Sequence, residues 1–562
     1  MKKVSELQYT RVNADEVIAA IEKCTRDAKA AKSGKALAAC REEALKHIFR
    51  VSTMSALAFM RFTLDTRAPF YLGEKDYYDE EGPKIDSAYV KFQRAFLQNP
   101  HSKETAPFLN PLVLRHYEQQ ITCTSDEVIP FKIEENKLVT EYTKLMAETT
   151  FPWDNENLPL SKLKKYFADA DRSVRQKAYT VLGETLATIG DTLDSLYDRM
   201  VKVRHATAVK LGFNNYVELG DRLMGRISYD RQQLAAFRKN VLSSVVPVLS
   251  RLKQKAAASL GISDFMLYDN ESYFACGNPT PVLDAKAMFE AGKAMYRDMS
   301  KETGAFFDFM LETDAFDVFS REGKWGGGYC TSFADYKQPF ILANFNGTSG
   351  DVDVLTHEAG HALADYMMYQ QNHDQELSVG GMETAETHSM SMEFFCHKYM
   401  DKFFGERAQD YRYMHLFDAL TFLPYGTIVD YFQELVYTHP DMTPKERNEL
   451  WNKLEHEFRP WLSTEGIPYL EKGTRWQYQM HIFENPLYYI DYCLAQSVAL
   501  QFYFKSREDY PAAFRAYMDF LKCGGTVEFP KLVQNAGLVS PFEDGALKTL
   551  AENAERLLDS FK

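Results

Sequence analysis

The chain has 562 residues, a formal net charge of -14 and a pI of about 5.5, with no block of Lys and Arg. That balance argues against nucleic acid or an anionic membrane surface as a partner. Apolar residues make up 45% and include 39 Phe, enough to bury a large core, and no run reaches the length of a membrane span.

The N-terminus, Met1-Lys-Lys-Val-Ser-Glu, turns polar before an apolar segment can form, so no secretory signal is expected. Asn13 opens a predicted helix that runs to about Ser33-Gly34, and a second covers Lys35 to about Leu64. Gly73 to Pro83 is charged and carries Gly and Pro, which predicts a loop. Helical pattern continues from Ile133 to Glu148, and Phe151 to Pro159 is the clearest break in the first half. A boundary there divides the chain into an N-terminal helical region, 1–160, and a second domain, 161–562. Long amphipathic patterns return from Ser161, including Ser173 to about Leu211 and Asp230 to Leu260. The fold class is therefore mostly α. The eight cysteines (Cys24, Cys40, Cys123, Cys276, Cys330, Cys396, Cys493 and Cys523) contain no Cys-x-x-Cys pair, which points to reduced thiols in a cytoplasmic protein.

The pattern changes between about Asn270 and Gly350. Trp325-Gly-Gly-Gly328-Tyr-Cys-Thr-Ser332 and Pro339-Phe-Ile-Leu-Ala-Asn-Phe345 are short, β-prone and bounded by turn residues, which predicts a small sheet. Gly327 and Gly328, with Tyr329 after them, let backbone approach another strand or a ligand closely. An edge strand here offers an extended peptide main-chain hydrogen bonds with little sequence preference.

Directly after this sheet comes Asp353-Val-Leu-Thr-His357-Glu358-Ala-Gly-His361. His357 and His361 are four apart, so on a helix both imidazoles leave one face and can meet one metal ion. Glu358 emerges beside them, placed to take a proton from water at that metal. Thr348, Ser349 and Asp351 are cap candidates, and Leu355, Ala359, Ala362 and Tyr366 recur at helical spacing on the other face. A catalytic zinc needs one more protein ligand, and Glu376, Glu383 and Glu386 are all candidates by spacing. Glu386, Met390, Glu393 and His397 line one face of a predicted helix from Met382 to Phe404, while His388 lies off it.

His357-Glu-Ala-Gly-His361 followed by Ala385-Glu386-Thr-His-Ser-Met-Ser-Met-Glu393 resembles the zinc oligopeptidases of the thimet oligopeptidase and oligoendopeptidase F family. The resemblance covers the chain from about Ser161 to near the C-terminus. It implies Glu386 as third ligand of one zinc per chain, Glu393 as a supporting group behind the ligands, and two helical lobes around a deep cleft. It also implies a substrate-facing strand at Pro339 to Gly347, which includes Ala343 and Asn344, and a catalytic His and Tyr residues near the C-terminus. The matching segment is His481-Ile-Phe-Glu-Asn485-Pro486-Leu-Tyr488-Tyr489-Ile-Asp-Tyr492, which nominates His481, Tyr489 and Tyr492; a one-residue offset would exchange Tyr489 for Tyr488. Asn485 and Pro486 suit a helix start there, and Tyr489 and Tyr492 would then share a face. Ala364 departs from the family, whose members often carry another His at that place.

The implied activity is zinc-dependent cleavage of internal bonds in short, unfolded peptides. Two other readings stand beside it. A carboxypeptidase or dipeptidyl carboxypeptidase would need a cation for the terminal carboxylate, for which Arg459 and Arg475 are candidates. A helical scaffold with an accidental motif would bind no zinc. Nothing in the pattern fixes an oligomeric state.

Overall fold

The structure, a computed structural model, describes residues 2–371, 374–377 and 380–561. The Asn13 side chain accepts from the backbone N–H groups of Asp15 and Glu16 and starts α1 (Ala14–Ala30). Ser33 caps α2 (Gly34–Leu64) by accepting from Ala36. The next helix, α3 (Pro69–Gln98), runs through the segment predicted as a loop over Gly73–Pro83. Pro83 lacks the N–H that would satisfy the Asp79 carbonyl one turn back. Asn136 Nδ2 donates to that carbonyl at 3.0 Å instead. Glu74, buried in the same helix, accepts from Arg11 Nε at 2.9 Å, and the Tyr77 hydroxyl donates to the Val12 carbonyl at 2.8 Å. These tertiary bonds outweigh the local breaking signal of Gly73, Gly82 and Pro83. The three helices share a smaller core, with Ile21, Leu37, Phe92 and Phe96 fully buried.

The predicted break after this body is a hairpin of β1 (Thr150–Trp153) and β2 (Glu156–Pro159), which turns through Asp154 at φ +53°. Asp171 then caps the long α4 (Arg172–Lys210). The remaining helices gather around a second, larger core. The small sheet holds three strands: β3 (Phe316–Phe319), β4 (Tyr329–Phe333) and β5 (Gln338–Phe345). Their order is β3-β5-β4, with β3 parallel and β4 antiparallel to the central β5. The turn into α5 (Gly350–Gln371) passes through Gly347 at φ +85°. Asp351 closes it by accepting from the backbone N–H groups of Asn346 at 2.8 Å and Gly347 at 2.7 Å.

Three further helices complete the site: α6 (Met382–Cys396), α7 (Ala408–Thr438) and α8 (Tyr489–Glu508). α6 packs against both α5 and α8, and every residue from Glu383 to Met392 is buried. Its polar side chains therefore all need partners within the fold. Among the described residues no helix is long and apolar enough to cross a membrane.

Candidate metal centre

α5 sets His357 and His361 one turn apart, with ring centroids 5.1 Å from each other. Gly360 lies between them against α6. A Cβ there would fall 2.6 Å from Ser389 Cα and 2.7 Å from the His388 carbonyl oxygen, so only glycine permits this approach of the two helices. The approach brings Glu386 Oε2 to 3.4 Å from Nε2 of both His357 and His361. Ligand atoms of the three residues lie within 4.8 Å of one another. A tetrahedral centre roughly 2.1 Å from each corner has edges of about 3.4 Å, so the donor set fits zinc.

The other two acidic candidates are engaged elsewhere. Glu376 is held in the N-terminal body by Arg41 Nε at 3.0 Å and by the hydroxyls of Tyr89 at 2.6 Å and Tyr117 at 3.0 Å. Glu383 is buried beside Tyr229 and Asp491.

A chain of hydrogen bonds supports the centre from behind. His357 Nδ1 meets Glu393 Oε1 at 2.6 Å, and since a carboxylate only accepts, this tautomer leaves Nε2 free for a metal. Glu393 Oε2 receives His415 Nε2 at 2.7 Å, and His415 Nδ1 stands 2.9 Å from His397 Nε2. Burial favours a neutral Glu393, but the bonds from His357 and His415 outweigh it and pull its carboxyl down to about 2. Burial likewise opposes charge on His415, and Glu393 raises its proton affinity regardless. Burial and the neighbouring His415 keep His397 neutral. At Glu358, which lines the cavity, burial pushes the carboxyl up while His357 and His361 pull it back in part.

The cavity in front of these residues has a volume of about 340 Å³. Tyr488 and Tyr492 line it, and Tyr489 does not. The predicted helix start at Asn485-Pro486 is the source of the difference. Leu487 instead adopts φ +66°, and α8 begins only at Tyr489. Gln433 Oε1 accepts from the Leu487 N–H at 3.0 Å and Arg226 Nη2 donates to its carbonyl at 2.5 Å, so both sides hold the unfavourable backbone in place. Tyr488 thus turns inward, 4.7 Å from the Tyr492 ring, and its hydroxyl donates to Glu386 Oε1. Tyr489 is buried against Phe422 and Tyr425. His481 stands behind the tyrosines, 5.9 Å from Tyr492 between ring centroids, with Nδ1 2.9 Å from Gln479 Nε2. Burial draws its pKa down to about 4, so it is a neutral imidazole.

The sheet places the remaining candidates. Gly328 and Tyr329 line the cavity. Gly327 lies under the Trp325 ring, which a Cβ would strike at 2.0 Å. Ala343 is fully buried, with its carbonyl bound by Lys324 Nζ at 2.5 Å. Asn344 Nδ2 ties down the glycine loop through the carbonyls of Trp325 and Gly327, each at 2.8 Å. β5, expected to face substrate, is the central strand and has both edges paired; the edge beside the metal residues belongs to β4. Arg459 Nη1 donates to Glu455 Oε1 at 3.0 Å, and Arg475 Nη1 donates to the same oxygen. Both guanidinium groups also lie over the Tyr425 ring, so neither is a free clamp for a terminal carboxylate.

Cavity residues that sequence reasoning passed over include Cys330, Asp365 and Met368. Asp365 carried a signal, since it lies four residues beyond His361 on the same helix face.

Known proteins resemble this chain in sequence and fold. The signature of peptidase family M3 matches residues 306–552, and that of the peptidase M3 N-terminal domain matches residues 4–124. Oligopeptidase PepF of Bacillus subtilis (strain 168) is 22% identical over 536 residues, which cover 87% of this chain and 75% of the relative. The solved structure of PZ peptidase A with inhibitor 2 is 38% identical with a TM-score of 0.95, covering 99% of both chains. A structure described as an oligoendopeptidase F from Bacillus anthracis str. Ames is 36% identical with a TM-score of 0.91, covering 100% of this chain and 98% of its own. With full-length likeness at this identity, and with the M3 signature spanning the metal helices, the chain belongs to peptidase family M3 as an oligoendopeptidase F-like metallopeptidase.

Proposed function

We propose that this M3 peptidase hydrolyses internal bonds of short, unfolded oligopeptides, with His357, His361 and Glu386 as ligands of one zinc ion and Glu358 as general base. The observation that carries this is the convergence of two imidazole Nε2 atoms on one carboxylate oxygen, each at 3.4 Å, with Glu358 in the same cavity. When bound, zinc supplies Lewis-acid polarisation of the scissile carbonyl and makes an attacking water more acidic. Glu358 takes the proton from that water and returns it to the leaving amine. Tyr492 offers its phenol to the developing oxyanion, while Tyr488 steadies Glu386. His481 and Tyr489 back these two rings and keep them in place.

The free edge of β4 gives an extended peptide main-chain partners beside the metal residues. Side chains of His357 and His361 are only about a fifth exposed, at 22% and 20%, which suits an extended chain better than a folded surface. Eight free cysteines support a cytoplasmic setting.

The test is metal content together with cleavage of an internally quenched, end-blocked peptide before and after chelation. One zinc per chain, and internal cleavage lost on chelation and regained with zinc, is the expected result. Metal without internal cleavage would move the assignment to an exopeptidase, and folded protein with neither would end it.

A further inference from the structure

The cavity does not stop at the metal residues. α5 carries the face of His357 and His361 onward through Ala364, Asp365 and Met368, and α6 contributes Met382. Asp365 is the acid at this end. Its Oδ2 accepts from the Ser332 hydroxyl of β4, which holds the carboxylate between helix and sheet and occupies one of its two oxygens.

Several acids in the arginine cluster behind the site are matched by guanidinium groups. Asp221 meets Arg226 at 2.6 Å, Asp491 meets Arg226 at 2.9 Å and Asp430 meets Arg231 at 3.0 Å. Among the described residues, no Lys or Arg lines the metal cavity. Burial raises the Asp365 carboxyl, and the Ser332 bond and His361 offset this only in part. A carboxylate in that condition gains from an incoming cation. The walls suit the stem of such a cation: Ala364 leaves room, and the thioethers of Met368 and Met382 adapt to a flexible aliphatic chain.

We propose that this end of the cavity is a side-chain subsite for a Lys or Arg residue next to the scissile bond, with Asp365 as counter-ion and Met368 and Met382 as walls. The proposal rests on the peptidase function above, so its test separates binding from turnover. End-blocked fluorescent peptides carrying Lys, Arg, norleucine or Glu at each position flanking the scissile bond are titrated against zinc-loaded Glu358→Gln protein. At one position, Lys and Arg are expected to bind at least about tenfold tighter than norleucine, with Glu weakest. Adding Asp365→Asn should bring Lys and norleucine to near parity, and Asp365→Arg should reverse the order in favour of Glu. Ala364→Leu, which leaves the carboxylate in place and fills the space, should also remove the preference. Equal binding of Lys and norleucine at every position, or a preference that survives both Asp365→Asn and Ala364→Leu, overturns the subsite. Cleavage of the norleucine peptide by unsubstituted enzyme reports on the peptidase function separately. Cleavage without basic preference defeats the subsite alone, and basic preference without cleavage of any peptide defeats the catalytic assignment alone.

Discussion

Two clusters of buried charge sit on either side of the segment that bears Tyr488 and Tyr492, and they are built on opposite plans. Behind it, Arg226 pairs with Asp221 and Asp491, Arg231 with Asp221, Asp430 and Glu434, and Arg238 with Glu434 at 2.7 Å. Donors and acceptors interleave in this lattice, and among the described residues only Asp491 Oδ2 of its carboxylate oxygens is left without a hydrogen-bond partner. It borders a cavity of about 710 Å³, twice the volume of the one at the metal centre. In front, two imidazole nitrogens and a carboxylate oxygen point at one another within 4.8 Å, and all three are acceptors once the histidines are neutral. That set is complete only around a cation. The mark of the functional cluster is therefore three acceptors converging on one point, and neither cavity size nor charge density would have found it.

The contrast makes separable predictions. Glu358→Gln keeps all three proposed ligands, so zinc content should stay at one per chain while kcat falls on the order of 10³-fold. Near-normal turnover in a zinc-loaded variant would remove Glu358 as the base. Asp430→Asn, in the lattice, should act the other way. It leaves Arg231 and Arg238 short of a buried partner and should cost about 3 kcal/mol in urea unfolding, with zinc affinity unchanged. A loss of zinc without a loss of stability would show that the two clusters are not independent.

What could be read from the chain followed the range of the interaction involved. The common face of His357, Glu358 and His361 needs only helical periodicity, and α5 supplies it. The passage of α3 through Pro83 was hidden because the bond that replaces the missing donor comes from Asn136, 57 residues beyond the Asp79 carbonyl it reaches. The exchange of Tyr488 for Tyr489 was hidden for a similar reason: Leu487 is held in its left-handed conformation by Gln433 and Arg226, neither of them local. Four-residue β3 followed too closely on a helical pattern to show as a strand. The sheet edge beside the metal residues belongs to β4 and not to β5, because strand order is a tertiary property.

The support behind His357 gives a smaller effect. Glu393 bridges His357 and His415, and the hydrogen bonds from the two imidazoles hold that carboxylate ionised and oriented. Replacing His415 by Ala should weaken zinc binding by about 10- to 100-fold, read by competition with a chelator. Gln, which can still donate one hydrogen bond to Glu393, should recover part of the loss. If Ala and Gln bound zinc as tightly as the parent, the hydrogen-bond chain would play no part in holding the ligand.

Glu383 sits where the two clusters meet, one turn before Glu386 and beside Asp491 of the lattice. The Tyr229 hydroxyl lies 3.0 Å from Asp491 Oδ1 and 3.3 Å from Glu383 Oε2, and one phenol proton cannot serve both carboxylates. Burial first, and then the charge of Asp491, push the Glu383 carboxyl up from 4.5 to about 8. Because the folded value lies above the unfolded one, the native state keeps a proton that the unfolded chain releases between these limits. Stability from this group is therefore greatest below the unfolded value and declines as pH rises through that window. Glu383→Gln presents a permanently neutral group of the same shape. Its Tm should match the parent near the lower limit and exceed it by a widening margin toward the upper one. Parallel Tm curves for the two proteins would mean that Glu383 is ionised in the fold, and that the lattice, not a proton, neutralises it.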